Sequence, residues 1–175
     1  TILSMNHVTT DMNEIILKVG FEIHQQLSTK NKLFCNCKCL EAENYDSIFL
    51  RKLRPAHSEL GSYDRASIFE FTKMRTIKYH SSYIASCLVE ADEEPPHEIN
   101  RDAMDTALII SLALNSNIID EINVMRKIVI DGSNTSGFQR TMLISYGGHL
   151  QVNGKKIGVQ TICLEEDSGK LLSDN

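Results

Sequence analysis

The sequence predicts an α+β fold, an antiparallel sheet with flanking helices, and three observations carry that prediction. Segments with the two-residue alternation of a half-buried strand recur along the chain. Asn153-Gly154, between Leu150-Gln151-Val152 and Lys155-Lys156-Ile157, is a strong signal for a two-residue hairpin turn. One segment, Arg101 to Leu114, carries helical spacing instead. Hairpins around one long helix give an antiparallel sheet.

The elements follow in order. From Leu17 to Leu27, Leu17, Val19, Phe21 and Ile23 alternate with Lys18, Gly20, Glu22 and His24, which predicts a strand with one buried face. Leu33 to Leu40 reads as a second strand. Ile68 to Tyr79 alternates loosely, with Tyr83 to Ala91 as its expected partner. Asp92-Glu93-Glu94-Pro95-Pro96 stops that strand, because proline cannot donate to a ladder. Asn100 is a good N-cap for the helix, and Asp102 and Asp105 suit the positive end of its dipole. Ala103, Ala107, Ile110 and Leu114 form its predicted apolar stripe. Ile122 to Ile130, Gln139 to Tyr146 and Lys156 to Leu164 read as further strands. Asp131 to Gly137 is a polar loop.

A chain of 175 residues with 42% hydrophobic and 23% charged residues has the composition of one globular domain. No apolar run approaches the length of a bilayer span. Residues 1 to 13 carry no basic segment followed by an apolar one, so no secretory signal is visible and a cytoplasmic protein is expected. The net charge of −5 argues against a large phosphate-binding surface. The basic patches Arg51-Lys52-Leu53-Arg54 and Lys73-Met74-Arg75 with Lys78 read as solvated faces. Five cysteines, Cys35, Cys37, Cys39, Cys87 and Cys163, without a signal segment, argue for thiols in a reducing compartment.

Four pieces can carry chemistry. Glu22 and His24, two apart on the predicted strand, point the same way. A carboxylate beside an imidazole can hold a divalent ion, share a proton, or simply face water. Glu165-Glu166-Asp167 places adjacent carboxylates at a strand end, where a cation or basic partner must offset their repulsion or water must solvate them. Arg126-Lys127, the Asp131 to Gly137 loop and Gln139-Arg140 offer backbone N–H groups and basic side chains to phosphate, without the lysine spacing of a P-loop. Cys35-x-Cys37-x-Cys39 would share one strand face. These thiols are expected to be reduced and free of metal, since a zinc site needs a further ligand that Cys87 or Cys163 can supply only if the fold delivers it.

Several long runs resemble one family. Lys18-Val-Gly-Phe-Glu-Ile-His-Gln-Gln-Leu27, followed by Lys32-Leu-Phe-Cys35, is similar to the opening of GatB and GatE, related subunits of the glutamyl-tRNA(Gln) amidotransferase family. Leu88-Val-Glu-Ala-Asp-Glu-Glu-Pro-Pro-His97 resembles the archaeal branch, GatE, as does the run from Val124 to Thr141. Gly158-Val-Gln-Thr-Ile-Cys-Leu-Glu-Glu-Asp167 completes the set, in family order.

The resemblance implies a fold like that of glutamine synthetase and the guanidino kinases, an antiparallel sheet whose open face holds ATP and Mg²⁺. It implies that residues 1–175 are the N-terminal part of a single catalytic (cradle) domain, with the later helical and tail domains that grip tRNA absent. The implied reaction is phosphorylation of the side-chain carboxylate of Glu-tRNA(Gln) by ATP, then displacement of phosphate by ammonia from the amidohydrolase subunit of the same amidotransferase. A heterotetramer is implied for the intact enzyme. By the same resemblance His24 and Glu166 match Mg²⁺ ligands, with Glu22 beside them. Lys127 matches a lysine near the meeting point of ammonia and acyl phosphate, and Asp131 and Gln139 match polar positions of that pocket. Arg126, Ser133 and Arg140 are the expected cofactor-binding residues. A further carboxylate ligand of the family lies beyond Asn175, so this piece is expected to hold half an active site and to be inactive alone. Ser168-Gly169-Lys170 is closer to GatB. Two other readings stay open: a non-catalytic RNA-binding or assembly piece of the same complex, and a ligase acting on a free amino acid.

Overall fold

The computed structural model describes residues 10–11, 14–15, 19–40, 44–52, 55, 63, 65–127, 139–167, 169 and 172. Its strands and helices are β1 (Thr10–Asp11), β2 (Glu14–Ile15), β3 (Ser47–Lys52), α1 (Arg65–Thr72), β4 (Thr76–Ser81), α2 (Arg101–Ala113), β5 (Asn117–Ile118), β6 (Met125–Lys127), β7 (Gln139–Val152) and β8 (Lys155–Asp167). The pairings β1–β2, β3–β4, β5–β7 and β6–β7 are all antiparallel, and β8 pairs with β7. The α+β class and the antiparallel pairing are therefore those the sequence predicts. The chain divides into two compact units, one of residues 1–27, 102–123 and 142–164, the other of residues 28–101, 124–141 and 165–175.

In the first unit, α2 buries Ala103, Ala107 and Ser111, a stripe at i, i+4 and i+8. Ser111 breaks the apolar run in the sequence, yet it sits within the buried face. Its hydroxyl donates to the Ala107 carbonyl at 2.8 Å and accepts from Ser145 at 2.7 Å, so its burial leaves no orphaned group. Met142, Ile144, Val159, Ile162 and Leu164 supply the apolar core from β7 and β8. The His149 N–H donates to the Leu114 carbonyl at 2.7 Å. Gly148 permits that approach, because a Cβ there would lie 2.0 Å from Ser116 Oγ.

The turn between β7 and β8 is the one the dipeptide predicts. Asn153 and Gly154 both have left-handed backbones, φ 49° and 76°, as a type I′ hairpin requires. Gly154→Ala would place its new Cβ in open space, so only the backbone penalty acts. It is expected to cost about 1–2 kcal/mol in urea unfolding. Gly158→Ala, equally unobstructed and not left-handed, is the control and is expected to stay within about 0.5 kcal/mol.

Elsewhere the structure corrects the sequence. Residues 19–27 form no strand, and Val19, Phe21 and Ile23 are 65%, 69% and 56% exposed. Leu33 to Leu40 is a series of bends pinned by an Asn31–Lys38 bridge. It still buries Leu33, Phe34 and Cys35, and the Phe34 and Leu33 carbonyls accept from the His97 and Asn100 N–H groups. The segment expected as one strand from Ile68 is a helix, α1, then β4. Tyr83 to Ala91 forms turns, and the partner of β4 is β3, in register from Ser47↔Ser81 to Lys52↔Thr76. Stacked Phe49 and Tyr79, centroids 4.8 Å apart, make a cross-strand pair of that hairpin.

Candidate functional site

Glu22 and His24 meet even though no strand carries them: His24 Nε2 lies 3.1 Å from Glu22 Oε1, and both side chains are exposed. They belong to the first unit, whereas Glu166 belongs to the second. An exposed carboxylate oxygen and an imidazole nitrogen side by side are donors that a divalent ion accepts.

In the second unit β6 pairs with the start of β7, and the register sets Lys127 opposite Gln139 and Arg126 opposite Arg140. Four expected site residues are thus brought together as two cross-strand pairs. The side chains of Arg126, Lys127 and Gln139, and the whole of Asp131 and Ser133, lie outside the described residues.

Arg140 is the best-defined member. It is 3% exposed, and its Nη2 donates to the Val89 carbonyl at 2.6 Å and lies 3.4 Å from Asp92 Oδ1. Its Nη1 lies 3.6 Å from Glu166 Oε2. The acidic strand end predicted from Glu165-Glu166-Asp167 is the end of β8, and Arg140 is its basic partner. Thr141 donates to Glu165 Oε1 at 2.7 Å. Burial pushes the Glu166 carboxyl up to about 7, opposed by the Arg140 charge and reinforced by Glu90. Glu166 Oε2 is buried without a hydrogen bond. Such an oxygen fits a hard cation, which would neutralise the carboxylate and fill its lone pair. Beside this cluster Asp92, Glu93, Glu94, Pro95, Pro96, Val124 and Arg140 line a cleft of about 430 Å³.

Sequence reasoning missed Arg51, Asp92, Glu90 and Lys32. The patch Arg51-Lys52-Leu53-Arg54 is no solvated face at its first residue. Arg51 is 6% exposed, and its Nη2 donates to Asp92 Oδ2 at 2.5 Å. Lys32 forms an ion pair with Glu90 and donates to the Ala85 carbonyl. The available signal was the acidic run Asp92-Glu93-Glu94, of which Asp92 meets Arg51 and Arg140 while Glu93 and Glu94 are exposed.

None of the five cysteines is in a disulfide. Among the described residues the fold gathers Cys35, Cys37 and Cys87, whose Sγ atoms all lie within 4.8 Å of one another; Cys39 is not in that group. The sequence grouped Cys39 with them on a strand that does not exist. Burial, and for Cys37 a hydrogen bond with Cys87, pushes the Cys35 and Cys37 thiols above their ordinary value. Three converging sulfurs can hold a soft cation such as zinc, with a fourth position to fill. After labelling with iodoacetamide at pH 8 for long enough that the zinc-free protein reacts at all five cysteines, added Zn²⁺ is expected to protect Cys35, Cys37 and Cys87 and to leave Cys39 and Cys163 unchanged, as read by mass spectrometry of the labelled peptides. Equal labelling with and without zinc would return these thiols to the metal-free reading.

Among the described residues, no helix is long and apolar enough to cross a membrane. The chain is 52% identical over 165 residues to the GatE subunit of the glutamyl-tRNA(Gln) amidotransferase of Sulfolobus acidocaldarius, a match covering 94% of the chain and 26% of the relative. It is 54% identical over 165 residues to the GatE of Sulfurisphaera tokodaii, with the same coverage. It is 51% identical over 164 residues to that of Aeropyrum pernix, covering 94% of the chain and 26% of the relative. The chain thus spans about a quarter of the length of the curated relatives it matches. The profile of the GatB/GatE catalytic domain matches residues 17–175, and the chain belongs to that family.

Proposed function

We propose that this chain is the N-terminal part of the catalytic domain of an archaeal tRNA-dependent amidotransferase that converts Glu-tRNA(Gln) to Gln-tRNA(Gln). The observation that carries this reading is the match of nearly the whole chain to the GatB/GatE catalytic domain and to relatives named as glutamyl-tRNA(Gln) amidotransferase subunits. The buried Glu166 carboxylate beside Arg140, at the end of β8, supports it.

The chemistry follows from the weakness of a carboxylate as an electrophile. A side-chain oxygen of the tRNA-bound glutamate attacks the γ-phosphorus of ATP, ADP leaves, and an acyl phosphate forms. Ammonia, supplied by an amidohydrolase partner subunit, adds to the acyl carbon; the C–O bond to phosphate breaks, and the amide remains. Both steps depend on positioning and charge neutralisation. Arg126 and Ser133 are proposed to bind phosphate; Arg140, opposite Arg126 in the β6–β7 ladder, is buried and is proposed to act from its place beside Glu166. Lys127, opposite Gln139 in the ladder, is the residue proposed to serve the acyl phosphate as ammonia arrives, with Asp131, which lies outside the described residues, proposed to assist it. Glu166 in the second unit, and His24 with Glu22 in the first, are the proposed Mg²⁺ ligands, and bound Mg²⁺ would supply charge to the transferring phosphoryl group. A lysine ammonium has no lone pair, so Lys127 stays outside the metal's ligands.

The test is a chimera in which this chain replaces the matching residues of the Sulfolobus acidocaldarius relative. Supplied with an amidohydrolase partner and Glu-tRNA(Gln), it is expected to form Gln-tRNA(Gln) with ATP and none without. Binding of tRNA without ATP-dependent turnover would favour the non-catalytic assembly reading; amidation of free glutamate would favour the third.

A further inference from the structure

The second unit carries a largely buried series of alternating charges, of which the reaction as derived uses only Arg140 and Glu166. Lys32 pairs with Glu90, and Arg51 with Asp92. Arg140 lies 3.4 Å from Asp92 and 3.6 Å from Glu166. Asp92 is the centre of this series. Its Oδ2 accepts from Arg51 and its Oδ1 faces Arg140. Its backbone is left-handed, φ 59°, and its N–H donates to the Val89 carbonyl at 3.1 Å. The turn therefore fixes where the carboxylate stands.

The guanidinium of Arg140 is a rigid planar fork. Its Nη2 is held by the Val89 carbonyl and Asp92, and the place of Nη1 follows from that. Nη1 faces Glu166 Oε2 at 3.6 Å, close enough for charge attraction and beyond hydrogen-bond range. Glu166 thus has a cation beside it while Oε2 accepts no hydrogen bond. Turned further toward Glu166, the fork would occupy that oxygen.

We infer that Asp92 is a positioning residue: by restraining Arg140 it keeps the guanidinium near Glu166 without letting it claim the carboxylate oxygen, so that Glu166 stands ready for a divalent cation. The inference rests on the proposal that Glu166 is a metal ligand. Asp92 itself touches neither cation nor substrate; it acts through Arg140, and its influence should vanish when Arg140 is absent.

The experiment is a Mn²⁺ titration of the purified protein followed by electron paramagnetic resonance, with folding checked by circular dichroism. D92N frees Arg140 to pair directly with Glu166 and is expected to weaken Mn²⁺ binding about 10- to 100-fold, the usual effect of losing a group that supports a ligand. In an R140Q background the same D92N change is expected to have no further effect, because its intermediary is gone. An equal loss in both backgrounds would show a general structural role and overturn the inference. E166Q is the control: if it leaves Mn²⁺ binding unchanged, the ligand assignment fails and the inference with it. If E166Q removes binding and D92N leaves it intact, the inference fails alone. Should D92N not fold, D92E takes its place. Its longer side chain displaces the carboxylate against Arg140, and unchanged Mn²⁺ affinity there would also overturn the inference.

Discussion

Replacing Lys127 by alanine in the chimeric protein is expected to lower Gln-tRNA(Gln) formation by about 100-fold or more while leaving the Mg²⁺ requirement unchanged. The β6–β7 register sets Lys127 opposite Gln139, and Arg126 opposite Arg140. In the proposed reaction the acyl phosphate accumulates negative charge as ammonia adds and phosphate departs. An ammonium placed there acts mainly on the transition state. It cannot ligate a cation, so its loss should not alter metal affinity. His24→Ala is the contrasting variant. Its imidazole, 3.1 Å from Glu22, is a proposed ligand, so its loss should raise the Mg²⁺ concentration needed for tRNA-dependent ATP hydrolysis. A shift in the Mg²⁺ requirement as large for Lys127→Ala as for His24→Ala would break this division of roles. Unchanged Gln-tRNA(Gln) formation would leave Lys127 as an ordinary residue of β6.

What could be read in advance was what depends on local rules. The α2 helix follows from its apolar spacing and its acidic first turn. The β7–β8 hairpin follows from Asn153-Gly154, whose backbones are both left-handed. The acidic end of β8 was legible for the same reason; Glu22 and His24 do meet, but not through the strand from which that was expected. Long-range pairing was not. Ile68 to Phe71 carries too few apolar positions to separate a period of 2 from one of 3.6, and it is helical. Ser47–Lys52, the partner of β4, was not recognised as a strand, and Leu17 to Leu27, which alternates well, is exposed from 19 to 26. Alternation specifies a face; it does not supply a neighbour. Likewise the Cys-x-Cys-x-Cys spacing named two members of the thiol cluster, but Cys87 joins them through the path of the chain between residues 37 and 87. Arg51, in a basic run that suggests solvent, is buried because Asp92 meets it across the fold.

Stability measured without divalent ions is expected to fall as pH rises from 5 to 8, and Glu166→Gln is expected to remove much of that fall. The Glu166 carboxyl is raised from 4.5 to about 7, with burial as the main cause. Between those values the folded protein keeps a proton that the unfolded chain has released. The native state then binds more protons, so unfolding free energy decreases with pH. The stabilisation is complete below about 4.5 and is lost as pH passes through about 7. At about 1.4 kcal/mol per pH unit the full difference is about 3 kcal/mol, an order-of-magnitude figure. Glutamine keeps the shape and cannot ionise, so the variant lacks this slope. Arg140 loses its Glu166 partner in the variant but keeps Asp92 and the Val89 carbonyl. Urea unfolding of both proteins at pH 5 and pH 8 isolates the effect, since other titrating groups are shared and cancel in the difference. The same measurement connects stability to the proposed chemistry. A cation bound to ionised Glu166 stabilises only the folded state, so Mg²⁺ added at pH 8 should restore stability to the native protein and leave Glu166→Gln unmoved. Parallel pH dependences in the two proteins would mean that Arg140 and solvent already hold Glu166 ionised below neutrality. The carboxylate would then need no cation to stand at the end of β8.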